Sequence, residues 1–404
     1  MKTLIKNARL ILPDGIREGT LILSDGKIEE VGAPWKGKLP ELVHADDLQV
    51  IDAGGKYVAP GFIDMHTHGA GGADFMDGTV EAYCTAARMH ASHGTTLLFP
   101  TTLTSTNEAL FESFDTYREA VKANTDGAAF GGMHLEGPYF SPKQAGAQDP
   151  RYLRHPEPSD YREILRRADG LLKRWSFAPE LEGSPAFAAE LKERGIISSM
   201  GHTDATFEDC DAAFRSGCSL MTHFYSCMSS ITRRNAYRYA GVIEYGYWQD
   251  AMDIEIIADG IHVPAPLLKL VVKIKGTGRI SLVTDSMRAA GMPEGPSILG
   301  GLKGGQEVIV EGGVAKMPDR TAFAGSVATA DRLVRTMVRE GGVPLEDAVR
   351  MMTANPARIM GLSDRKGSIE KGKDADLVIF AGEDVRIDKT IVGGKIVYDA
   401  KERL

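Results

Sequence analysis

The chain has 404 residues, the charged and apolar fractions of an ordinary globular protein, and a formal net charge of −8. That acidic balance disfavours a nucleic-acid or anionic-membrane partner, while a local arginine can still hold an anionic substrate. The four cysteines form no Cys-x-x-Cys pair and no disulfide framework, no window is apolar and long enough to span a membrane, and the start lacks a signal-peptide core. Reduced thiols and a cytoplasmic location are the expectation.

Residues 1–57 contain short β-like runs, "TLIKNARLIL", "GTLILSDGKIEEVG" and "LQVIDAGGKYV", with Asp-Gly turns suited to hairpins. Residues 360–404 look alike, with "GSIEKGKDADLVIF" and "IDKTIVGGKIVYD" as strand pairs. Two β-rich ends around a different middle predict one small β-sandwich domain built from both termini. Residues 58–359 alternate strand and helix. Candidate strands are "GFIDMHTH", "TTLLFPTTL", "AFGGMHLEGPY", "LKRWSFAPEL", "IISSMGHTDA", "LMTHFYS", "IEIIADGIHV" and "RISLVTDSM". Amphipathic stretches such as "NEALFESFDTYREAVKA" lie between them. Eight such steps predict an α/β fold of the (β/α)8 TIM-barrel type. A doubly wound sheet is the alternative, but no Gly-x-Gly-x-x-Gly turn follows the first strand. "GGLKGGQEVIVEGGVAKMPDRTAFAGS" reads as short hairpins inserted after strand eight.

Chemistry concentrates at the strand ends. His66 and His68 sit two apart on strand one and so face the same way. Alone, the pair fits polar strand-end residues as well as ligands. Glu136 ends strand three, His202 strand five, His223 strand six and Asp285 strand eight, and His262 follows strand seven. Barrel active sites lie at the carboxyl ends of the strands, and none of these residues falls at the opposite end. Four imidazoles and a carboxylate are nitrogen and oxygen ligands for zinc or a similar divalent ion such as iron. Three would complete one open tetrahedral site. Five favour two ions, with His66 and His68 at one, His202 and His223 at the other, and Glu136 as the bridge. A metal lowers the pKa of its water from about 15.7 toward about 7. Asp285 beside that water can accept a proton and later deliver it to a leaving group. Of the other histidines, His134 shares a strand face with Glu136 and can support the site, while His90, His93 and His155 fit surface or packing roles.

The segments "PGFIDMHTHG", "HLEGPYFSPKQAGAQ", "MGHTDA", "THFYSCM", "IADGIHV", "LVTDSMRAAG", "FAGS", "NPAR" and "GSIEKGKDADLVIF" resemble the amidohydrolase superfamily. Within it, "HLEGPY" with "GAQ" and "VTDSMRAAG" is similar to the N-acetylglucosamine-6-phosphate deacetylase family. Many superfamily members bridge two metals with a carboxylated lysine on strand four. Here that strand reads "WSFAPEL", and Glu136 takes the place, as in this family. The resemblance implies one or two divalent metal ions per subunit and hydrolysis of the acetamide of N-acetylglucosamine 6-phosphate to glucosamine 6-phosphate and acetate. It implies Asp285 as acid and base, and His262 as the hydrogen-bond partner of the acetamide carbonyl or developing oxyanion. It implies Ala147, Ser226, Cys227, Arg234, Phe323 and Gly325 as the lining of the sugar-phosphate site. It also implies a cytoplasmic homodimer whose phosphate-binding arginine reaches in from the neighbouring subunit.

Two departures fall at substrate recognition. Ser226-Cys227 stands where the family has an Asn-Ala pair, and "RRNAYRYAG" stands for "REPG", so Arg233, Arg234 and Arg238 all compete for the phosphate. Deacetylation of another N-acetylated substrate, such as N-acetylgalactosamine 6-phosphate or an N-acylamino acid, is the nearest alternative. A non-catalytic amidohydrolase-like subunit is a further one, which should have lost ligands; all five and Asp285 are present.

Overall fold

The computed structural model describes residues 2–34, 36 and 48–403; residues 35 and 37–47 of the expected N-terminal segment lie outside the described residues. Lys2–Leu12 runs back antiparallel as Gly15–Ser24 and Lys27–Gly32, around the two Asp-Gly turns. These strands continue one sheet in the order Lys395–Asp399, Arg386–Val392, Leu377–Ala381, Tyr57–Pro60, Lys2–Leu12, Gly15–Ser24, Lys27–Gly32. Lys2–Leu12 shares one edge between two partners: Leu48–Asp52 pairs with its start and Tyr57–Pro60 with its far end. The sheet therefore folds over itself around Ile5, Leu10, Leu21, Val58, Leu377 and Ile391. This is the small β-sandwich made from both termini.

The barrel strands are β1 (Phe62–Thr67), β2 (Thr95–Thr102), β3 (Met133–Glu136), β4 (Leu172–Phe177), β5 (Ile197–Met200), β6 (Leu220–Met221), β7 (Asp253–Ile256) and β8 (Ile280–Leu282). Neighbours from β1 to β8 pair in parallel. Parallel strands covered on both faces read as continuous apolar or β-branched runs, and β1 and β2 are buried along their whole length. Thr79 and Thr106 cap the helices Val80–Ser92 and Asn107–Ala123, accepting from backbone N–H groups of the first turn. Tyr83, Phe114, Trp175 and Phe187 fill the space between strands and helices. Each such side chain contributes roughly 1.5–3 kcal/mol by burial.

The seam between β1 and β8 is closed by polar groups. Asp285 N donates to His66 O at 2.8 Å, and His68 N to Ser286 O at 2.8 Å. The buried Asp64 carboxylate accepts from Thr284 N at 3.2 Å and from Thr284 Oγ1 at 2.5 Å. Burial pushes the Asp64 pKa up to about 6, against those hydrogen bonds.

Three strands stop earlier than their sequences predict. β5, β6 and β8 end at Met200, Met221 and Leu282, two or three residues before the functional side chain. His202, His223 and Asp285 have φ of 46°, 28° and 47°. A non-glycine residue in that left-handed region costs roughly 1–2 kcal/mol and cannot continue a strand. The turn swings each side chain over the barrel mouth. Beyond β8, Gly295–Leu299, Gln306–Glu311 and Val314–Lys316 form the expected hairpins, and their Leu299 and Val308 pack with Ala147 and Met287 beside that mouth. No helix among the described residues is long and apolar enough to cross a membrane.

Candidate metal centre and substrate cavity

At the carboxyl end of the barrel five side chains converge on one carboxylate. Glu136 Oε1 lies 2.9 Å from His223 Nε2, 3.2 Å from His202 Nε2 and 3.6 Å from His66 Nε2. Its Oε2 lies 3.2 Å from His68 Nε2 and accepts from Gln148 Nε2 at 2.8 Å. Among the described residues, His66, His68 and Glu136 form one group able to hold a metal ion, and Glu136, His202 and His223 form another. All five are buried. Glu136 belongs to both groups: Oε1 meets His202 and His223 and also faces His66, and Oε2 meets His68.

The donor set fits cations. His202 Nδ1 lies 2.9 Å from Gln144 O, which only accepts, so Nδ1 carries a proton. In the neutral ring, Nε2 is then a bare lone pair. It faces His223 Nε2 at 3.2 Å and Glu136 Oε1, just as His66 Nε2 faces His68 Nε2 at 3.3 Å. Lone pairs aimed at one another and at a carboxylate need positive charge between them, from protons or from metal ions.

The ionisable groups respond accordingly. Burial alone would push the His66 imidazole down, but the Asp285 and Glu136 carboxylates outweigh it and hold its pKa up at about 9. For His68, burial is likewise outweighed by hydrogen bonds to Asp285 and Glu136, and its pKa rises to about 10. Glu136 is held well below the usual carboxylate range by His66, His202 and His223, although burial opposes this. In the metal-free protein both imidazoles are therefore protonated at neutral pH, and ligation must expel those protons. Loading metal-free protein at pH 7.5 is expected to release roughly one proton per histidine of this pair. Calorimetry in buffers of differing ionisation enthalpy reads that number; heats independent of the buffer would contradict it. The same raised values mean that metal-free protein loses this contribution to stability as pH climbs through 9–10.

Asp285 stands over the first group, with Oδ1 3.0 Å from His68 Nε2 and 3.3 Å from His66 Nε2. Burial raises its pKa, but His66 and His68 prevail and hold it below the ordinary aspartate value. His262 lies across the cavity, its Nδ1 donating to Asp259 Oδ2 at 2.8 Å and its ring packed on Phe323 at 4.5 Å between centroids. As a neutral ring it presents an accepting Nε2; donating to a substrate oxygen requires the second ring proton.

The cavity over the carboxylate has a volume of about 350 Å³. Ala147, Ser226, Cys227, His262, Phe323 and Gly325 line it, together with His68, Glu136, His202, His223 and Asp285. His66 lies just below. Arg234 is not brought there: it sits on an exposed hairpin, Thr232–Arg234 with Tyr237–Tyr239, its guanidinium 5.3 Å from the Tyr239 ring. Arg233 and Arg238 share that hairpin. Lys143 does line the cavity, paired with Asp204 at 2.9 Å.

Several supporting residues escape a reading by strand ends. Gln148, on the Glu136 bridge, belongs to the "GAQ" signature, which marks kinship without giving a role. Asp259 lies three residues before His262, and that spacing is a usable signal. His90, expected as packing, is buried with its pKa lowered to about 4 by burial, and its Nε2 lies 2.9 Å from Thr67 Oγ1 between the two ligands of β1. His134 supports the floor of the site through Ser176 Oγ at 2.7 Å and Thr101 Oγ1 at 3.2 Å. The four cysteines are free thiols.

Comparison with known proteins identifies the family. The family model described as "Amidohydrolase family" matches residues 57–397. An N-acetylglucosamine-6-phosphate deacetylase of Bacillus subtilis is 34% identical over 403 residues, covering 99% of this chain and 98% of that protein. An N-acetylgalactosamine-6-phosphate deacetylase of Escherichia coli O157:H7 is 31% identical over 379 residues, covering 94% and 95%. A mutant N-acetyl-D-glucosamine-6-phosphate deacetylase of Mycobacterium smegmatis, solved in complex with N-acetyl-D-glucosamine-6-phosphate, superposes with a TM-score of 0.87 at 29% identity, covering 98% and 99%. With a family model over most of its length and relatives above 30% identity end to end, this chain belongs to the amidohydrolase family, among the N-acetylglucosamine-6-phosphate deacetylases.

Proposed function

We propose that this protein hydrolyses the acetamide of N-acetylglucosamine 6-phosphate, giving glucosamine 6-phosphate and acetate in amino-sugar catabolism. The observation that carries the reading is Glu136 between two pairs of imidazoles, with an ionised Asp285 over them in a cavity of monosaccharide size. His66, His68, Glu136, His202 and His223 would hold one or two divalent ions, zinc or iron. When bound, such ions supply Lewis acidity for the amide carbonyl and an activated water at neutral pH.

The chain's own residues do the rest. Asp285 accepts the proton that water loses as its oxygen bonds to the acetamide carbon. It then delivers that proton to the sugar nitrogen as the C–N bond breaks. His262, oriented by its Nδ1 bond to Asp259 Oδ2, meets the carbonyl oxygen as negative charge develops there. Ala147, Ser226, Cys227, Phe323 and Gly325 shape the sugar site. Arg234 lies outside the cavity of its own chain, which suits a cytoplasmic homodimer in which its hairpin reaches the neighbouring subunit. Ile231, Tyr237 and Trp248, exposed on and near that hairpin, suit the same contact.

Metal-loaded protein assayed on N-acetylglucosamine with and without the 6-phosphate tests the reading. Charge-assisted hydrogen bonds contribute roughly 1.5–3 kcal/mol each, so losing two is expected to cost on the order of a hundredfold or more in kcat/KM. Arg234→Ala should raise KM for the phosphorylated sugar toward that of the plain one, and sedimentation should find a dimer. Equal kcat/KM for both sugars would refute the assignment and favour an N-acylamino acid. The relative that acts on the galactosamine epimer and the unusual Ser226-Cys227 lining favour including N-acetylgalactosamine 6-phosphate as a third substrate.

A further inference from the structure

Beneath the ligands the barrel interior holds a charged pair that the chemistry above does not use. Arg174 on β4 and Glu255 on β7 are both fully buried. Arg174 Nη2 donates to Glu255 Oε2 at 2.8 Å and Nη1 to Oε1, a bidentate pair. Its other donors reach Thr222 Oγ1 at 3.0 Å, Ser199 Oγ at 3.1 Å and Met65 O at 3.4 Å. Barrel interiors are usually filled by branched apolar residues. Apolar side chains of similar volume commonly stabilise a core as well as a buried ion pair, or better, so stability alone does not account for the pair.

Its position does. Glu255 Oε2 accepts from the backbone N–H of His223 at 3.3 Å, and lies 3.7 Å from His66 Nδ1. His66 Nδ1 is buried with no hydrogen-bond partner, while Nε2 of the same ring faces Glu136, His68 and Asp285. A histidine that ligates through Nε2 must carry its proton on Nδ1, and a carboxylate facing Nδ1 in a low-dielectric interior selects that tautomer.

We infer that Arg174 and Glu255 position the His66–His68 ion site: Glu255 fixes the His66 ring with its proton on Nδ1 and Nε2 free, and Arg174 holds Glu255 in place as a carboxylate. The inference rests on the two-ion reading of the cluster. Neither residue lines the substrate cavity, so neither meets substrate directly.

The test removes both charges together, leaving the interior neutral. Wild type, Arg174→Met/Glu255→Leu and His68→Ala are loaded with Zn²⁺ and dialysed against a graded chelator series. Ions per chain are counted by mass spectrometry, and unfolding of the metal-free proteins is followed by circular dichroism. The double variant is expected to keep or raise its metal-free Tm and retain one ion as tightly as wild type. It should hold the other roughly 10–100-fold more weakly. Adding the double substitution to His68→Ala should change the ion count no further, which assigns the weakened ion to the His66–His68 site. Two ions held with wild-type affinity would show that the pair is only structural, as would weakening of both ions together with a fall in metal-free Tm. Glu255→Asp keeps the charge balance and withdraws the carboxylate by one methylene, and should weaken the same ion alone. Should the double variant fail to fold, unchanged ion binding by Glu255→Asp overturns the inference. A His68→Ala protein that binds as many ions as wild type instead defeats the two-ion reading itself.

Discussion

Glu136→Ala is expected to release both ions and abolish deacetylation. Each ligand group keeps two imidazoles after that change, but loses the one carboxylate they share. Four ring nitrogens then surround a gap whose nearest carboxylate, Asp285, meets only the His66–His68 pair. Glu136 Oε1 is the common neighbour of His202 and His223, and Oε2 that of His68 and Gln148, and among the described residues no other side chain joins the two groups. His202→Ala should be nearly as damaging. His66→Ala should matter less, because the other group remains whole. Metal analysis of chelator-free preparations, with circular dichroism to confirm folding, reads the outcome. Full turnover or a wild-type ion count in Glu136→Ala would sink the assignment of the centre.

Asp285→Asn is expected to lower kcat by about 10²–10⁴-fold, the usual loss when general acid–base catalysis is removed. An amine leaves poorly unless it is protonated as the C–N bond breaks, and Lewis acidity at the carbonyl does not deliver that proton. Asp285 is the strand-end carboxylate not shared between the ligand groups. In the metal-free protein His66 and His68 hold its pKa below the ordinary aspartate value. Asparagine tolerates the left-handed backbone of this position, so the variant keeps the local shape. Metal content should change little, because the five ligands remain. A variant that loses its metal yet turns over normally when reloaded would make Asp285 a structural ligand. The proton carrier would then be sought elsewhere, with His262 first.

Strand-end chemistry was legible in the sequence because parallel strands leave a strong local signal. Buried runs such as "GFIDMH" and "TTLLFPTT" announce themselves by composition. A residue just past such a run must lie at the barrel mouth once the barrel closes. His66, His68, Glu136, His202, His223 and Asp285 could therefore be gathered before any coordinate. The two β-rich ends around a different middle also predicted their own union.

Tertiary structure decided what depends on contacts distant in sequence. The turns at His202, His223 and Asp285 shorten their strands, because left-handed backbone at a non-glycine residue is stabilised by its surroundings and by no residue code. Asp64 reads as an ordinary strand residue until the β1–β8 seam places Thr284 against it, 220 positions away. Nothing local in the sequence joins Arg174 to Glu255, and only the closed barrel turns them inward against each other, 81 positions apart. Arg234 shows the opposite limit: the sequence offers it as a phosphate ligand, and the fold carries it on a hairpin away from the cavity of its own chain. Which side chains follow the barrel strands, and so meet at its mouth, is written in local runs of sequence. Which groups orient them was decided by closure of the barrel, because hydrogen bonds across its interior join residues that no local pattern links.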